Sequence, residues 1–101
     1  MTAELILSPE AEQDLAEAYD WYEACRVGLG EEFLSSVDAC LQGVIRQPAL
    51  HPFVLENYRR ALVRRFPYQV FYEFTDETVT IYGVFHTSRE PSRWRSRLKS
   101  E

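Results

Sequence analysis

Apolar residues recur at steps of three and four through the first half of the chain, a spacing typical of amphipathic helices. A short apolar run over residues 2–7 comes first and predicts a strand. Ser8 and Pro9 then suit the cap and the first turn of a helix. The apolar stripe of that helix comprises Ala11, Leu15, Ala18, Tyr22 and Cys25.

A second helix follows a break at Gly28 and Gly30, residues that favour the end of one helix and the start of another. It ends near Gln47, because Pro48 disfavours helical geometry in the residue before it. Its apolar stripe comprises Phe33, Val37, Leu41, Val44 and Ile45. The two segments predict an αα-hairpin, followed by a connecting loop over residues 49–58.

Period-two alternation replaces the helical spacing in the second half and predicts three strands, with a hairpin turn over residues 75–78. One face of this sheet is assigned to the helices and carries Val70, Tyr72, Val79 and Ile81. The opposite face is expected to be exposed and to show Arg60, Arg64, Gln69, Phe71, Tyr82 and His86. On the third strand the alternation groups Phe85 with Val79 and Ile81, and Val84 with Tyr82 and His86.

The order of elements is therefore a strand, a helical hairpin and an antiparallel meander of three strands, which is an α+β fold (β-α-α-β-β-β). Residues 92–98 are expected to add a short C-terminal helix or tail. At 101 residues, the chain is expected to form one domain spanning residues 1–101.

The net charge of −5 is unevenly distributed, because the N-terminal part of the chain is acidic and the C-terminal part is basic. Residues 1–45 hold ten Asp and Glu against one Arg, whereas residues 46–101 hold ten Lys and Arg against six acidic residues. The basic half suits an acidic partner or nucleic acid, but the acidic overall balance argues against indiscriminate nucleic-acid binding.

Other features exclude several classes of protein. No stretch approaches the ~18 uncharged apolar residues needed to cross a bilayer, and the N-terminus lacks a signal-peptide pattern. We therefore expect a cytoplasmic protein without a membrane partner. Cys25 and Cys40 are expected to be buried or half-buried free thiols. Two cysteines and two histidines at no ligand-like spacing predict no metal site. We expect no cofactor and no small-molecule substrate.

Three short sequence blocks stand out by their order and their intervals. They are Gly28-Leu29-Gly30 with Phe33, then Arg60 with Val63-Arg64-Arg65-Phe66-Pro67-Tyr68-Gln69-Val70-Phe71-Tyr72, and last Val84-Phe85-His86-Thr87-Ser88-Arg89-Glu90-Pro91 with Trp94. In these blocks the chain resembles the RelE/ParE superfamily of toxins from type II toxin–antitoxin systems. The resemblance implies a bacterial protein that a cognate antitoxin neutralises. It also implies one of two activities, cleavage of mRNA in the ribosome or inhibition of DNA gyrase.

Cleavage of RNA without a metal needs a base, an acid and cations around the phosphate. For an endoribonuclease, the catalytic candidates are His86, Arg60, Arg64 and Arg89. Ribosome-dependent relatives commonly carry an arginine where this chain has Gln69. They often carry a tyrosine or a second histidine in the C-terminal segment, where residues 92–97 have neither.

The Phe66-Pro67-Tyr68 break and the block from His86 to Pro91 look more like the gyrase-directed, ParE-like branch. We therefore favour a gyrase inhibitor that acts by binding, with the ribosome-dependent endoribonuclease as the alternative. A further target, or a subunit without toxicity, is a third possibility. The expected target contacts are Arg60, Arg64, Arg89, Arg93, Trp94 and Arg95. The expected antitoxin contacts are Trp21 and Leu34, which lie off the main helical stripes.

Several of these side chains also have a structural explanation. His86 ends a strand and can hydrogen-bond the turn at Ser88 and Arg89, and Trp94 can pack on the sheet as a lid. The acidic residues of the first helix are expected to form a solvated face, composed of Glu12, Glu17, Asp20 and Glu23.

Overall fold

The structure, a computed structural model, describes residues 2–88 and 91–100. In these ranges the chain forms three helices and five strands. In chain order they are β1 (Glu4–Leu7), α1 (Pro9–Cys25), α2 (Leu29–Arg46), β2 (Phe53–Leu55), β3 (Tyr58–Leu62), β4 (Tyr68–Thr75), β5 (Thr78–His86) and α3 (Pro91–Lys99). The predicted α+β class is confirmed, with its N-terminal strand, helical hairpin, run of strands and short C-terminal helix.

The helical hairpin forms as predicted. Ser8 caps α1, and its Oγ accepts a hydrogen bond from the Ala11 amide at 3.1 Å. The predicted stripe of α2 is buried over its whole length, at Phe33, Val37, Leu41, Val44 and Ile45. Among the helices of the described ranges, none is both long and apolar enough to cross a membrane.

The start of α2 is capped by a side chain from α1. The carboxylate of Glu23 accepts hydrogen bonds from the backbone amides of Gly28 and Gly30, at 2.9 and 3.0 Å. A carboxylate in this position satisfies free amides and interacts favourably with the positive end of the helix. Glu23 is half-buried, so the prediction that it belongs to a solvated face is wrong.

The described strands form one mixed sheet in the order β1-β5-β4-β3-β2. β3, β4 and β5 make the predicted antiparallel meander. β1 pairs with β5 in parallel, from Glu4 opposite Thr78 to Leu7 opposite Ile81. The meander therefore lies within a larger sheet that is not purely antiparallel.

The segment over residues 49–58 was predicted to be a loop and instead contains the edge strand β2. Phe53 lies opposite Arg59 and Leu55 lies opposite Tyr58, with an irregularity between the two pairs. A strand of three residues next to a proline is too short for alternation to reveal. β3 is also shorter than predicted, since it ends at Leu62 and leaves Arg64 in the bend that follows.

A β-bulge interrupts the pairing of β4 with β5. Phe71 lies opposite Gly83 and Tyr72 lies opposite Ile81, so Tyr82 is an extra residue on β5. An extra residue reverses the side-chain alternation that follows it. The predicted alternation of β5 is therefore wrong beyond the bulge.

The reversal moves two side chains to the opposite faces. Val84 packs in the core beneath the helical hairpin, and Phe85 packs on the other side of the sheet. His86 follows Val84 in the alternation and lies opposite Tyr68, a residue of the core beneath the hairpin.

Both faces of the sheet are covered. A main core lies between the hairpin and one face, and a second core lies between the other face and α3. The second core contains Phe71, Phe85, Trp94 and Leu98. Phe71 is fully buried and Gln69 is buried as well, so the prediction that they belong to an exposed face is wrong. The prediction assumed a sheet covered on one face only.

The two cysteines are free thiols in different surroundings. Cys40 is half-buried on α2 as predicted, with its Sγ 3.6 Å from the Leu62 carbonyl oxygen. Cys25 is exposed at the end of α1, so the prediction that it is at least half-buried is wrong. Burial raises the pKa of the Cys40 thiol to about 11.

We expect iodoacetamide at pH 8 to modify Cys25 long before Cys40. With a pKa of about 11, roughly one Cys40 thiol in a thousand is ionised at pH 8, and the thiolate is the reactive form. Raising the pH from 8 to 9 is expected to speed labelling of Cys40 about tenfold. Mass spectrometry of the native Cys25→Ser variant measures this rate, and fast labelling at pH 8 would contradict the buried position of Cys40.

Candidate functional site

Helix α3 has an apolar inner side and a cationic outer side. Trp94 and Leu98, one turn apart, lie in the second core. The Trp94 ring stacks on Phe71, with ring centroids 4.7 Å apart and 22° between the ring planes. The exposed side carries Arg93, Arg95 and Lys99. Of the predicted target contacts, Arg93 and Arg95 are therefore presented to solvent.

Trp94 occupies the lid position that was the structural explanation for it. Its side chain is 7% exposed, and the Arg95 guanidinium lies 5.2 Å from the ring centroid. A buried ring offers a partner little surface. In this arrangement Trp94 supports the cationic face of α3 rather than forming part of it.

An ion pair joins α3 to α1. Arg97 donates from both terminal nitrogens to Asp14, with Nη1 2.9 Å from Oδ2 and Nη2 3.2 Å from Oδ1. The side chain of Asp14 is 12% exposed and that of Arg97 is 24% exposed. A two-point contact of this kind fixes orientation as well as distance.

The same two side chains bind the backbone of β5 next to the bulge. The Val84 amide donates to Asp14 Oδ2 at 2.9 Å, and the Tyr82 carbonyl oxygen accepts from Arg97 Nη1 at 3.2 Å. β1 pairs with β5 only as far as Leu7 opposite Ile81. Beyond Ile81, the Asp14–Arg97 ion pair lies where a neighbouring strand would lie and binds the backbone groups of β5 there.

Sequence reasoning missed Asp14, although the sequence contained a signal. Asp14 comes three residues after Ala11 and four before Ala18, and both alanines are buried. It therefore lies on the inner face of α1, where a carboxylate has to be paired. Its partners, Val84 and Arg97, are 70 and 83 residues away, and no local pattern identifies them.

Arg60 and His86 lie on opposite faces of the sheet. Arg60 is opposite Phe71, a residue of the second core. His86 is opposite Tyr68, a residue of the main core, and the two rings are 5.2 Å apart. Directly opposed residues share a face. The structure therefore does not bring together the cation and the histidine of the ribonuclease hypothesis.

His86 makes the local contact that was its structural explanation. Its Nδ1 accepts a hydrogen bond from the Ser88 amide at 3.1 Å and lies 2.7 Å from Ser88 Oγ. Because Nδ1 accepts from an amide, neutral His86 carries its proton on Nε2. His86 thus fixes the turn that follows β5.

A groove of about 700 Å³ lies between α1, the end of β5 and α3. The side chains around it include Glu17, Trp21, Tyr22, Tyr68, His86 and Arg93. Trp21 is 63% exposed and meets Tyr22 edge-on, with ring centroids 5.0 Å apart. Leu34, predicted to act with Trp21, is half-buried against the main core and is not part of the groove lining.

The remaining predicted target contacts are dispersed. Arg64 is exposed in the bend after β3, and Arg60 is half-buried on β3. The adjacent Arg65 pairs with Glu32 of α2 at 3.1 Å. Arg89 lies outside the described residues.

The other histidine, His51, lies in a structural cluster. Its Nδ1 is 3.2 Å from Tyr72 Oη, and Arg59 donates to its carbonyl oxygen at 2.7 Å. Burial and the charge of Arg59 lower the pKa of His51. Within residues 2–88 and 91–100, no three His, Cys, Asp or Glu side chains come together as a possible metal site.

Comparison with known proteins assigns the family. Residues 5–91 match the profile of a family described as the ParE toxin of the type II toxin–antitoxin system parDE. The chain belongs to the ParE toxin family. It is also similar to Toxin ParE2 of Mycobacterium tuberculosis, with 30% identity over 93 residues, which cover 91% of this chain and 89% of that protein. The predicted RelE/ParE membership is confirmed.

Solved structures agree in fold with this ParE-family toxin. A chain of the chromosomal ParDE TA system from P. aeruginosa aligns with a TM-score of 0.72 and 19% identity, over 86% of this chain and 98% of that chain. A mutant of the E. coli toxin RelE in the free state aligns with a TM-score of 0.71 and 16% identity, over 99% and 98%. At such identities the likeness concerns the fold alone.

Replacing Trp94 by Ala is expected to lower the free energy of unfolding of the toxin by about 3–5 kcal/mol, since it removes a buried ring from the second core. Trp94→Phe keeps a ring over Phe71 and is expected to cost much less. Urea unfolding followed by circular dichroism measures both. Equal stability of Trp94→Ala and the unmodified protein would contradict the lid position.

Proposed function

We propose that this ParE-family toxin inhibits DNA gyrase by binding to it, and that a cognate antitoxin neutralises the toxin. The toxin itself breaks no bond in this proposal. Inhibition by binding requires a surface that holds the target. It does not require an acid–base pair at a reacting phosphate.

The separation of Arg60 from His86 carries the proposal. A metal-free ribonuclease, the alternative function, needs a proton-transfer group and cations around one phosphate. The sheet lies between these two side chains, with Arg60 on the face of the second core and His86 on the face of the main core. The Nδ1 of His86 is also engaged by Ser88. These contacts favour a binding role over cleavage.

The outer side of α3 is the proposed target surface. Arg93 and Arg95 are exposed there with Lys99, and the apolar inner side holds the helix on the sheet. Arg60, Arg64 and Arg89 are proposed to extend this surface. Trp94 acts in it by supporting Arg95 from below.

The groove beside α1 is the proposed antitoxin surface. It has an exposed aromatic anchor in Trp21 and an acidic side chain in Glu17, and Arg93 of the proposed target surface lies at its border. Aromatic anchors of this kind commonly dominate the energy of protein interfaces. Leu34 lies outside the groove lining, so we propose that it supports the hairpin and that Trp21 makes the contact.

Pulse-labelling of cells tests the target directly. After induction of the toxin alone, thymidine incorporation is expected to fall before amino-acid incorporation, because replication needs gyrase continuously. Replacing Arg93 and Arg95 together by Ala is expected to delay this fall. His86→Ala is expected to leave it unchanged.

The endoribonuclease alternative gives the opposite pattern. Amino-acid incorporation would fall first, and His86→Ala would slow mRNA cleavage by ~10²–10⁴-fold, the usual effect of removing an acid–base group. Either result, in a variant shown to be folded, would overturn the gyrase proposal.

A further inference from the structure

The position of α3 depends on contacts with the rest of the protein. The helix has nine residues, and a helix of that length is marginal by itself in water. Trp94 and Leu98 anchor it on Phe71 and Phe85 in the second core. These two anchors lie one turn apart on the same side of the helix. They hold the helix against the sheet, but they only weakly determine its rotation about the line that joins them.

Arg97 supplies a contact away from this line. Its guanidinium binds Asp14 and the Tyr82 carbonyl oxygen and lies 4.8 Å from the centroid of the Phe85 ring. Asp14 is in turn held by the Val84 amide. The pair therefore ties α3 to α1 and to the bulge of β5 at once.

The bulge leaves room for this contact at Gly83. A Cβ built at Gly83 would lie 2.6 Å from the Phe85 ring and 3.3 Å from Arg97 Nη1. A larger residue at position 83 would displace the Phe85 ring and the Arg97 guanidinium from each other. Gly83, Phe85 and Arg97 therefore form one closely fitted arrangement beneath the side of α3.

We propose that Asp14 and Arg97 are positioning residues for target binding. They set the rotation of α3 on the sheet and thereby the directions in which Arg93, Arg95 and Lys99 are presented to the target. This inference rests on the proposed function, in which α3 is the target-binding helix. Arg97 is assigned an indirect role, because both of its terminal nitrogens bind Asp14 and Nη1 also binds the Tyr82 carbonyl oxygen.

Inhibition of purified gyrase tests the proposal. If Arg97→Ala lowers the population of correctly placed α3 to about a tenth, the concentration for half-inhibition of supercoiling rises about tenfold. Asp14→Ala is expected to do the same, and the double variant to do no worse than either, because each removes the same pair. Arg97→Lys keeps the charge and one donor, so an intermediate effect is expected.

Arg26→Ala is the matched control. It removes an ion pair of similar length, Arg26–Glu32 at 3.1 Å, but one that is exposed. Exposed pairs contribute little to stability, so inhibition is expected to stay as in the unmodified toxin. Should Arg97→Ala fail to fold, Asp14→Asn is the milder variant, since its amide oxygen still accepts from Val84.

Fluorescence of Trp94 reports the placement of α3 independently of any target. In a Trp21→Phe background, Arg97→Ala is expected to shift Trp94 emission to longer wavelength and to increase its quenching by acrylamide. Weak inhibition with unchanged Trp94 emission would overturn the proposal, since Arg97 would then contact the target itself. Unchanged inhibition in Arg97→Ala would also overturn it.

Supercoiling and Trp94 emission distinguish failure of the gyrase proposal from failure of the positioning role. If the unmodified toxin does not inhibit supercoiling, the gyrase proposal is wrong. Growth inhibition after induction then replaces supercoiling as the readout, and Trp94 emission still decides whether the pair positions α3.

Discussion

Burial of β4 on both faces is the constraint on which the rest of the structure depends. Every residue from Tyr68 to Tyr72 is buried, and alternate side chains enter the main core and the second core. The helical hairpin covers one face, so the chain needs another element to cover the other. Helix α3 does so with Trp94 and Leu98. The same requirement keeps its cations off the buried side, because a nine-residue amphipathic helix has only one apolar side to bury.

The bulge in β5 extends this constraint to the polar side chains. An extra residue at Tyr82 turns Val84 and Phe85 into different cores. β1 ends opposite Ile81, next to this bulge, and Asp14 and Arg97 bind the backbone groups of β5 beyond that point. A local irregularity of one strand thus becomes the point where the first and last helices of the described chain meet.

The parts of the fold with a strong local pattern could be predicted from the sequence. The hairpin combined a 3.6-residue period with a Ser-Pro start and a glycine break, and each of these signals has a direct physical cause. The faces of the sheet could not be predicted in the same way. The continuous apolar run Val70-Phe71-Tyr72 was itself a sign of burial on both faces, but alternation alone assigned Phe71 to solvent.

The sequence predicted the residue types of the candidate site better than it predicted how those residues are arranged. Arg93 and Arg95 are exposed where a partner can reach them, whereas Trp94 is buried beneath them. Alternation without the bulge placed Arg60 and His86 on the same face of the sheet. Asp14 was recognisable as an acidic residue on a buried stripe, yet its partners lie far away in sequence and depend on the assembled sheet.

Supercoiling of relaxed plasmid by purified gyrase, run beside a reconstituted translation reaction, distinguishes inhibition of gyrase from cleavage of mRNA. The toxin is expected to inhibit supercoiling at concentrations that leave translation and its mRNA intact. Cleaved mRNA and arrested translation, with supercoiling unaffected, would contradict the account.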